Sequence, residues 1–118
     1  MLIRIASIIA LLALQQASWA TTQPVSSAEA ACALATARVT AQSSLPTSYV
    51  AFCDHIAEAD SPSGYYVMAL RARCSDELCG STNMGWFAVQ KTTGEVFEVD
   101  DVTDWKLGRR FPRSANHP

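Results

Sequence analysis

Apolar and polar residues alternate in three runs between Tyr65 and Asp101, which predicts three consecutive β-strands. In the first run, one set of alternating positions is apolar, while the other set contains Arg71 and Arg73. Arginine is rarely buried without a partner, so the set that contains the arginines should face solvent. The set expected to face the core is Tyr66, Met68, Leu70 and Ala72.

The second and third runs meet at a glycine turn, which predicts a β-hairpin. A three-residue loop with Gly94 in the left-handed conformation places Lys91 opposite Glu95. This register gathers four large apolar side chains on one face, whereas a two-residue loop would separate them. The four are Phe87, Val89, Phe97 and Val99. The opposite, open face is then expected to carry Tyr65, Val67, Arg71, Arg73, Trp86, Glu98 and Asp100.

An amino-terminal helix is expected to cover this sheet. Ser26 and Glu29 form a capping-box pattern, and small apolar residues recur at helical spacing as far as about Gln42. A strand-like run follows from Tyr49, in which the apolar positions change face near Asp54 and suggest a β-bulge. Together these elements predict an α+β fold, with one helix packed on a four-stranded antiparallel sheet.

Residues 1–20 have the pattern of a secretory signal peptide. Arg4 provides the positive charge, Ile5 to Leu14 form the apolar segment, and Ser18-Trp19-Ala20 is a small-x-small cleavage site. The apolar segment is shorter than the ~20 residues that a membrane-spanning helix needs. We therefore expect a periplasmic or secreted protein whose mature chain, residues 21–118, has no membrane span.

The mature chain is predicted to be one α+β domain, residues 21–108, followed by a mobile basic tail, residues 109–118. Within the domain, residues 102–108 are expected to form one helical turn capped by Thr103. Without Arg4, the nine Lys and Arg fall to eight against eleven Asp and Glu, which gives a net charge of −3. This balance argues against nucleic acid as a partner.

All four cysteines lie in the mature chain, and an even number in a small exported domain indicates disulfides. Cys74 and Cys79 enclose a short segment at the end of a strand, so we predict that they bond each other and leave Cys32 to bond Cys53. A zinc site is the alternative. Zinc ligands usually come as two close pairs, and the distance in sequence between Cys32 and Cys53 does not match that pattern. We predict two disulfides and no metal.

The residues suited to catalysis are few. His55 lies on a predicted strand, where a single histidine is more often structural than catalytic, and pairing of all cysteines would remove any thiolate nucleophile. The acidic residues from Glu98 to Asp104 lack the glycine and ligand spacing of a calcium loop, so a solvated strand end balanced by arginines is the simpler interpretation. We predict no enzymatic activity, no catalytic residue and no cofactor. A small hydrolase that uses His55 and nearby acidic residues is the least favoured of three hypotheses for the function.

A binding surface is the more prominent prediction. The segment from Cys74 to Gly85 is longer than a turn between two strands requires, and a disulfide at its base would stiffen it for binding. Alternatively, the bridge only stabilises a small domain, by ~2–4 kcal/mol. The predicted partner-binding residues come from this loop and the open face: Tyr65, Arg71, Arg73, Asp76, Glu77, Leu78, Met84 and Trp86.

One helix followed by antiparallel strands resembles the cystatin-like arrangement, and the run GWFAVQKTTGEVFEVD is similar to the terminal hairpin of PepSY-type periplasmic domains. The cystatin inhibitory motif Gln-x-Val-x-Gly does not occur in the sequence, so cysteine-protease inhibition is not implied. The resemblance implies a small exported module that binds or inhibits envelope proteins. We therefore expect a periplasmic protein that inhibits a partner enzyme, such as a wall-degrading hydrolase or a delivered toxin. The alternative is a non-inhibitory structural or assembly accessory of the bacterial envelope.

Overall fold

The computed structural model describes residues 23–74 and 82–113. Its helices are α1 (Ala28–Gln42) and two short 3-10 helices (Thr47–Tyr49 and Glu58–Asp60). The strands are β1 (Val50–His55), β2 (Tyr65–Ala72), β3 (Asn83–Gln90), β4 (Val96–Asp101) and β5 (Lys106–Phe111). They form one antiparallel sheet in chain order. The predicted α+β class is confirmed, but the predicted strand count was wrong, because the sheet has five strands rather than four.

Helix α1 starts after Ser27, whose side-chain oxygen accepts a hydrogen bond from the Ala30 amide at 3.1 Å. The cap therefore lies one residue later than the Ser26 of the expected capping box. The helix turns small side chains toward the sheet, and this lets the two layers approach closely. Its buried residues are Ala31, Ala35, Val39 and Thr40.

The main core lies between α1 and one face of the sheet. Tyr66, Met68 and Leu70 of β2 are buried in it, as the alternation of that strand predicts. The rings of Phe87 and Phe111 meet edge to face, with centroids 5.7 Å apart, so β5 also contributes to this core. We refer to this side of the sheet as the helix face.

A disulfide between Cys32 and Cys53 joins α1 to β1, with 6.0 Å between the two Cα atoms. The predicted pairing of these two cysteines is confirmed. The second predicted bridge, from Cys74 to Cys79, involves a residue outside the described part of the chain. The structure therefore describes one of the two disulfides that the sequence predicts.

The β3–β4 hairpin has a four-residue loop, Lys91 to Gly94, and the predicted three-residue loop was wrong. The Gln90 amide donates to the Glu95 carbonyl at 2.9 Å, and Val89 faces Val96 instead of Phe97. Hydrogen bonds of the Thr93 hydroxyl support the longer loop, because it donates to the Gln90 side chain and accepts from the Glu95 amide. The amino-terminal segment adds two backbone bonds to the same loop, Gln23 to Thr93 and Val25 to Lys91.

This register moves the side chains of β4 by one position. Val96 lies fully buried on the helix face, whereas Phe97 and Val99 lie on the opposite face. Glu98, expected on the open face, is instead opposite Phe87 and therefore on the helix side of the sheet. The alternation could not choose between the two registers, because both faces of the sheet bury apolar residues.

Residues 102–108 do not form the expected helical turn. The Asp101 carboxylate accepts hydrogen bonds from the Thr103 amide at 3.0 Å and from the Thr103 hydroxyl, which lowers the pKa of Asp101 and closes a turn. The chain then reverses into β5. Residues 109–111, which the sequence assigns to the tail, form the second half of this strand.

Gly94 offers a test of the hairpin loop. Its φ is +74°, and a Cβ at this position would lie 2.6 Å from the Gln23 carbonyl oxygen. Gly64 is a matched control, because its φ is +87° but a Cβ there would meet nothing within 4 Å. We expect Gly94→Ala to lower the free energy of unfolding by about 1–3 kcal/mol more than Gly64→Ala, as measured by urea unfolding. Equal losses would show that the amino-terminal segment does not pack on this loop.

Candidate functional site

The sheet face opposite α1 carries a second apolar cluster that no helix of the described residues covers. Val67, Ala88 and Val99 are buried at its base. Larger side chains lie over them and remain only half-buried, which leaves an apolar surface accessible. We call this surface the aromatic face. Its members are Ile56, Tyr65, Trp86, Trp105 and Leu107, which pack on the cluster, and Phe97, whose ring meets that of Tyr65.

The sheet register brings these side chains together. Val67 is opposite Ala88, and Ala88 is opposite Phe97, so β2, β3 and β4 contribute to one row. Tyr65 and Phe97 meet edge to face across β3, with ring centroids 6.3 Å apart. Small residues at the base, Ala69 and Ala88, leave space above the sheet for the rings.

The β4–β5 turn adds the last part of the aromatic face. Trp105 adopts a positive φ of +52°, a strained conformation for a bulky residue. It packs on the cluster of Val67, Ala88 and Val99 and is half-buried there. At the other edge of the sheet, Phe52 of β1 is 59% exposed and lies on the same face, because it is opposite Arg71 and two positions before Asp54, which is opposite Ala69.

Ion pairs border the aromatic face on two sides. Arg71 contacts Asp54 at 3.3 Å across β1 and β2, and Arg110 contacts Glu95 at 3.4 Å near β4 and β5. Each pair is partly exposed, so it contributes little to stability. Their arrangement gives the surface an apolar centre and a polar rim, which is typical of protein interfaces.

The structure brings together three of the predicted partner-binding residues: Tyr65, Arg71 and Trp86 lie on or beside the aromatic face. Arg73 lies past the end of β2, where its Nε donates to the Ser48 carbonyl at 3.2 Å. Met84 packs against the core on the helix face. The remaining three, Asp76, Glu77 and Leu78, lie outside the described residues.

Sequence reasoning missed several members of the aromatic face. The three-residue loop expected from the sequence places Phe97 in the core, and the change of face near Asp54 leaves the face of Ile56 undecided. The sequence predicts a helical turn over residues 102–108, which include Trp105 and Leu107. The alternation of Trp105, Lys106 and Leu107 is the signal that could have indicated a strand there.

His55 lines a different cleft, of about 210 Å³, beside the start of α1. Glu58 and Tyr66 line the same cleft, and Lys91 hydrogen-bonds Glu58 and lies over the Tyr66 ring at 4.7 Å. The hydrogen bond to Glu58 raises the pKa of Lys91, so this amine stays protonated rather than becoming a base. Ser27 uses its hydroxyl to cap α1. Ser27, Glu58 and Lys91 therefore all make structural contacts around His55.

Among the described residues, no group of His, Cys, Asp and Glu side chains is arranged to hold a metal ion. None of the helices in that part of the chain has the length and apolar content needed to cross a bilayer.

Comparison of the chain with protein-family models, curated proteins and solved structures finds no match. The resemblance to cystatin-like and PepSY-type domains therefore stays an expectation from the sequence.

Proposed function

We propose that this protein is an exported binding module that inhibits a partner enzyme, and that the aromatic face makes the contact. The observation that supports the proposal best is the composition of this face. It presents two tryptophans, a tyrosine and a phenylalanine that are all half-buried. Tryptophan, tyrosine and arginine supply most of the energy in protein interfaces.

The rigidity of the sheet also favours a binding role. These aromatic side chains project from three neighbouring strands, β2, β3 and β4, and from the β4–β5 turn of a single hydrogen-bonded sheet. The disulfide from Cys32 to Cys53 ties that sheet to α1. A partner would therefore meet a surface that is largely pre-formed, which keeps the entropic cost of binding low.

The inhibitory part of the proposal rests on the expected export of the chain and on its resemblance to small envelope modules. The partner class is a wall-degrading hydrolase or a delivered toxin. A non-inhibitory accessory would use the same face, so a binding measurement alone does not separate the two functions. An activity measurement on the bound partner does.

In the first step, the mature domain is immobilised on a resin and incubated with an envelope extract of the organism that carries this gene, so that binding proteins are captured. A captured hydrolase is purified and assayed with and without one equivalent of the domain. We expect its activity to fall as the complex forms. Binding with unchanged activity would favour the accessory function, and capture of no protein would contradict a binding role.

We expect Trp86→Ala to weaken binding of the captured partner by roughly thirtyfold, which corresponds to a loss of ~2 kcal/mol. The reason is that Trp86 lies on the exposed side of the cluster that Val67 and Ala88 form. Calorimetric titration provides the dissociation constant, and circular dichroism checks that the variant is folded.

Arg71→Ala tests the rim of the same face and should also weaken binding. His55→Ala is the control, because His55 lines the separate cleft beside α1, and it should leave binding unchanged. The opposite result would favour a hydrolase instead. In that case His55→Ala would abolish the activity of the protein, and Trp86→Ala would leave partner binding unchanged.

A further inference from the structure

Arg38, near the end of α1, has one guanidinium nitrogen that is buried and unpaired. Its Nη1 finds no hydrogen-bond partner among the described residues. The rest of the side chain is only partly buried. A buried donor on a charged group is costly when nothing accepts its hydrogen bonds, so this position favours an added acceptor.

The charges of two further arginines, Arg110 and Arg113, act on Arg38, and both side chains contact residues at the β3–β4 turn. A Cβ on Gly94 would lie 3.4 Å from Leu34, which is one helical turn before Arg38. In the same loop, the Thr93 carbonyl accepts from Arg113 at 2.8 Å, while Glu95 contacts Arg110. The β3–β4 turn therefore holds Arg110 and Arg113 and also lies against α1 one helical turn before Arg38.

The three arginines carry more positive charge than their surroundings neutralise. Burial lowers the pKa of Arg38, and the charges of Arg113 and Arg110 lower it further, whereas Glu95 acts in the opposite direction. Glu95 is already in contact with Arg110. This excess of positive charge contrasts with the net charge of −2 of the whole chain.

We propose that Arg38, Arg110 and Arg113 form an oxyanion-binding site that accepts a carboxylate or phosphate group. Guanidinium groups bind such groups through paired N–H donors in a planar fork. Arg113 is exposed, so its side chain can turn to admit the oxyanion beside Arg38. The bound group would accept from the unpaired Nη1 and reduce the repulsion between the arginines.

The oxyanion could come from two sources. One is a small free anion. The other is an acidic side chain of a bound protein, because Arg110 is opposite Phe97 and lies at the border of the aromatic face. The site itself rests on the arginines alone and does not depend on the proposed inhibitory function.

Calorimetric titration of the mature domain with inorganic phosphate tests the site, and titration with a tetraglutamate peptide tests the second source. Chloride at equal ionic strength removes the contribution of general screening. We expect saturable binding of phosphate and an Arg38→Gln variant that binds it at least ~tenfold more weakly. Binding of both probes would indicate that the natural ligand is a carboxylate of a bound protein. Binding of phosphate alone would indicate a small free anion.

Lys106→Gln is the matched control, because it removes one positive charge from an exposed position on β5. It should change phosphate affinity by less than ~twofold, since exposed charges more than a Debye length apart are largely screened. Arg113→Gln provides a second test at an exposed residue if Arg38→Gln fails to fold. The proposal is overturned if neither probe saturates, or if the arginine variants bind phosphate as well as Lys106→Gln does.

Discussion

Removal of the Cys32–Cys53 bridge by a double alanine substitution is expected to lower the free energy of unfolding by about 3 kcal/mol. The bridge closes a chain segment with a sequence separation of 21 and so restricts the unfolded state. In a domain of this size, such a loss corresponds to a fall in Tm of about 12–24 °C. Calorimetric melting of the oxidised wild type and of the variant measures it.

The double substitution of Cys74 and Cys79 by alanine is the control. The segment between these residues is much shorter than the one that the Cys32–Cys53 bridge closes, so removing the predicted second bridge should cost less. The bridge from Cys32 also holds β1, an edge strand, against α1. A Tm loss at Cys32 and Cys53 no larger than in the control would contradict this structural role.

The helix, β2 and one disulfide could be predicted from the sequence because each follows from local rules or from a single pairing. Serine before a run of alanines indicates where a helix starts. The alternation around Met68 and Leu70 indicates one buried face of a strand. The pairing of Cys32 with Cys53 requires only that the helix crosses the sheet near β1.

The hairpin register could not be predicted, because the prediction assumed a single buried face. With apolar residues on both faces, a shift of one position exchanges Val96 for Phe97 on the helix face and leaves each face apolar. The deciding contacts are the side-chain bonds of Thr93 and the backbone bonds from Gln23 and Val25. These depend on how a distant segment packs, and no local pattern encodes them.

Strand β5 was missed for a related reason. Leu107 is opposite Val99, and Phe111 is opposite Val96, so the two lie on different faces although they are four positions apart. Irregularities in the β4–β5 pairing cause this change of face. Regular alternation would place Leu107 and Phe111 on one face, so the sequence alone does not indicate the face that each occupies. For the same reason, Leu107 could not be assigned to the aromatic face from the sequence.

Val96→Asp is expected to cost about 3–5 kcal/mol, because it places a carboxylate without a partner in a buried site. Val96 has no exposed surface and packs in the core between α1 and the sheet. A loss of this size is comparable with the ~5–15 kcal/mol by which a whole domain is stable. Urea unfolding followed by circular dichroism should show a midpoint shifted strongly downward, or no folded state at all.

Phe97→Asp is the matched substitution at the neighbouring position of β4. Phe97 is half-buried on the aromatic face and lies close to the Arg110 strand position, so a carboxylate there reaches water and a cation. We expect this variant to fold and to retain at least ~2 kcal/mol more stability than Val96→Asp. The three-residue loop predicted from the sequence would reverse the order, because it places Phe97 in the core and Val96 on the open face. A Val96→Asp variant more stable than Phe97→Asp would therefore refute the four-residue loop, and with it the assignment of Phe97 to the aromatic face.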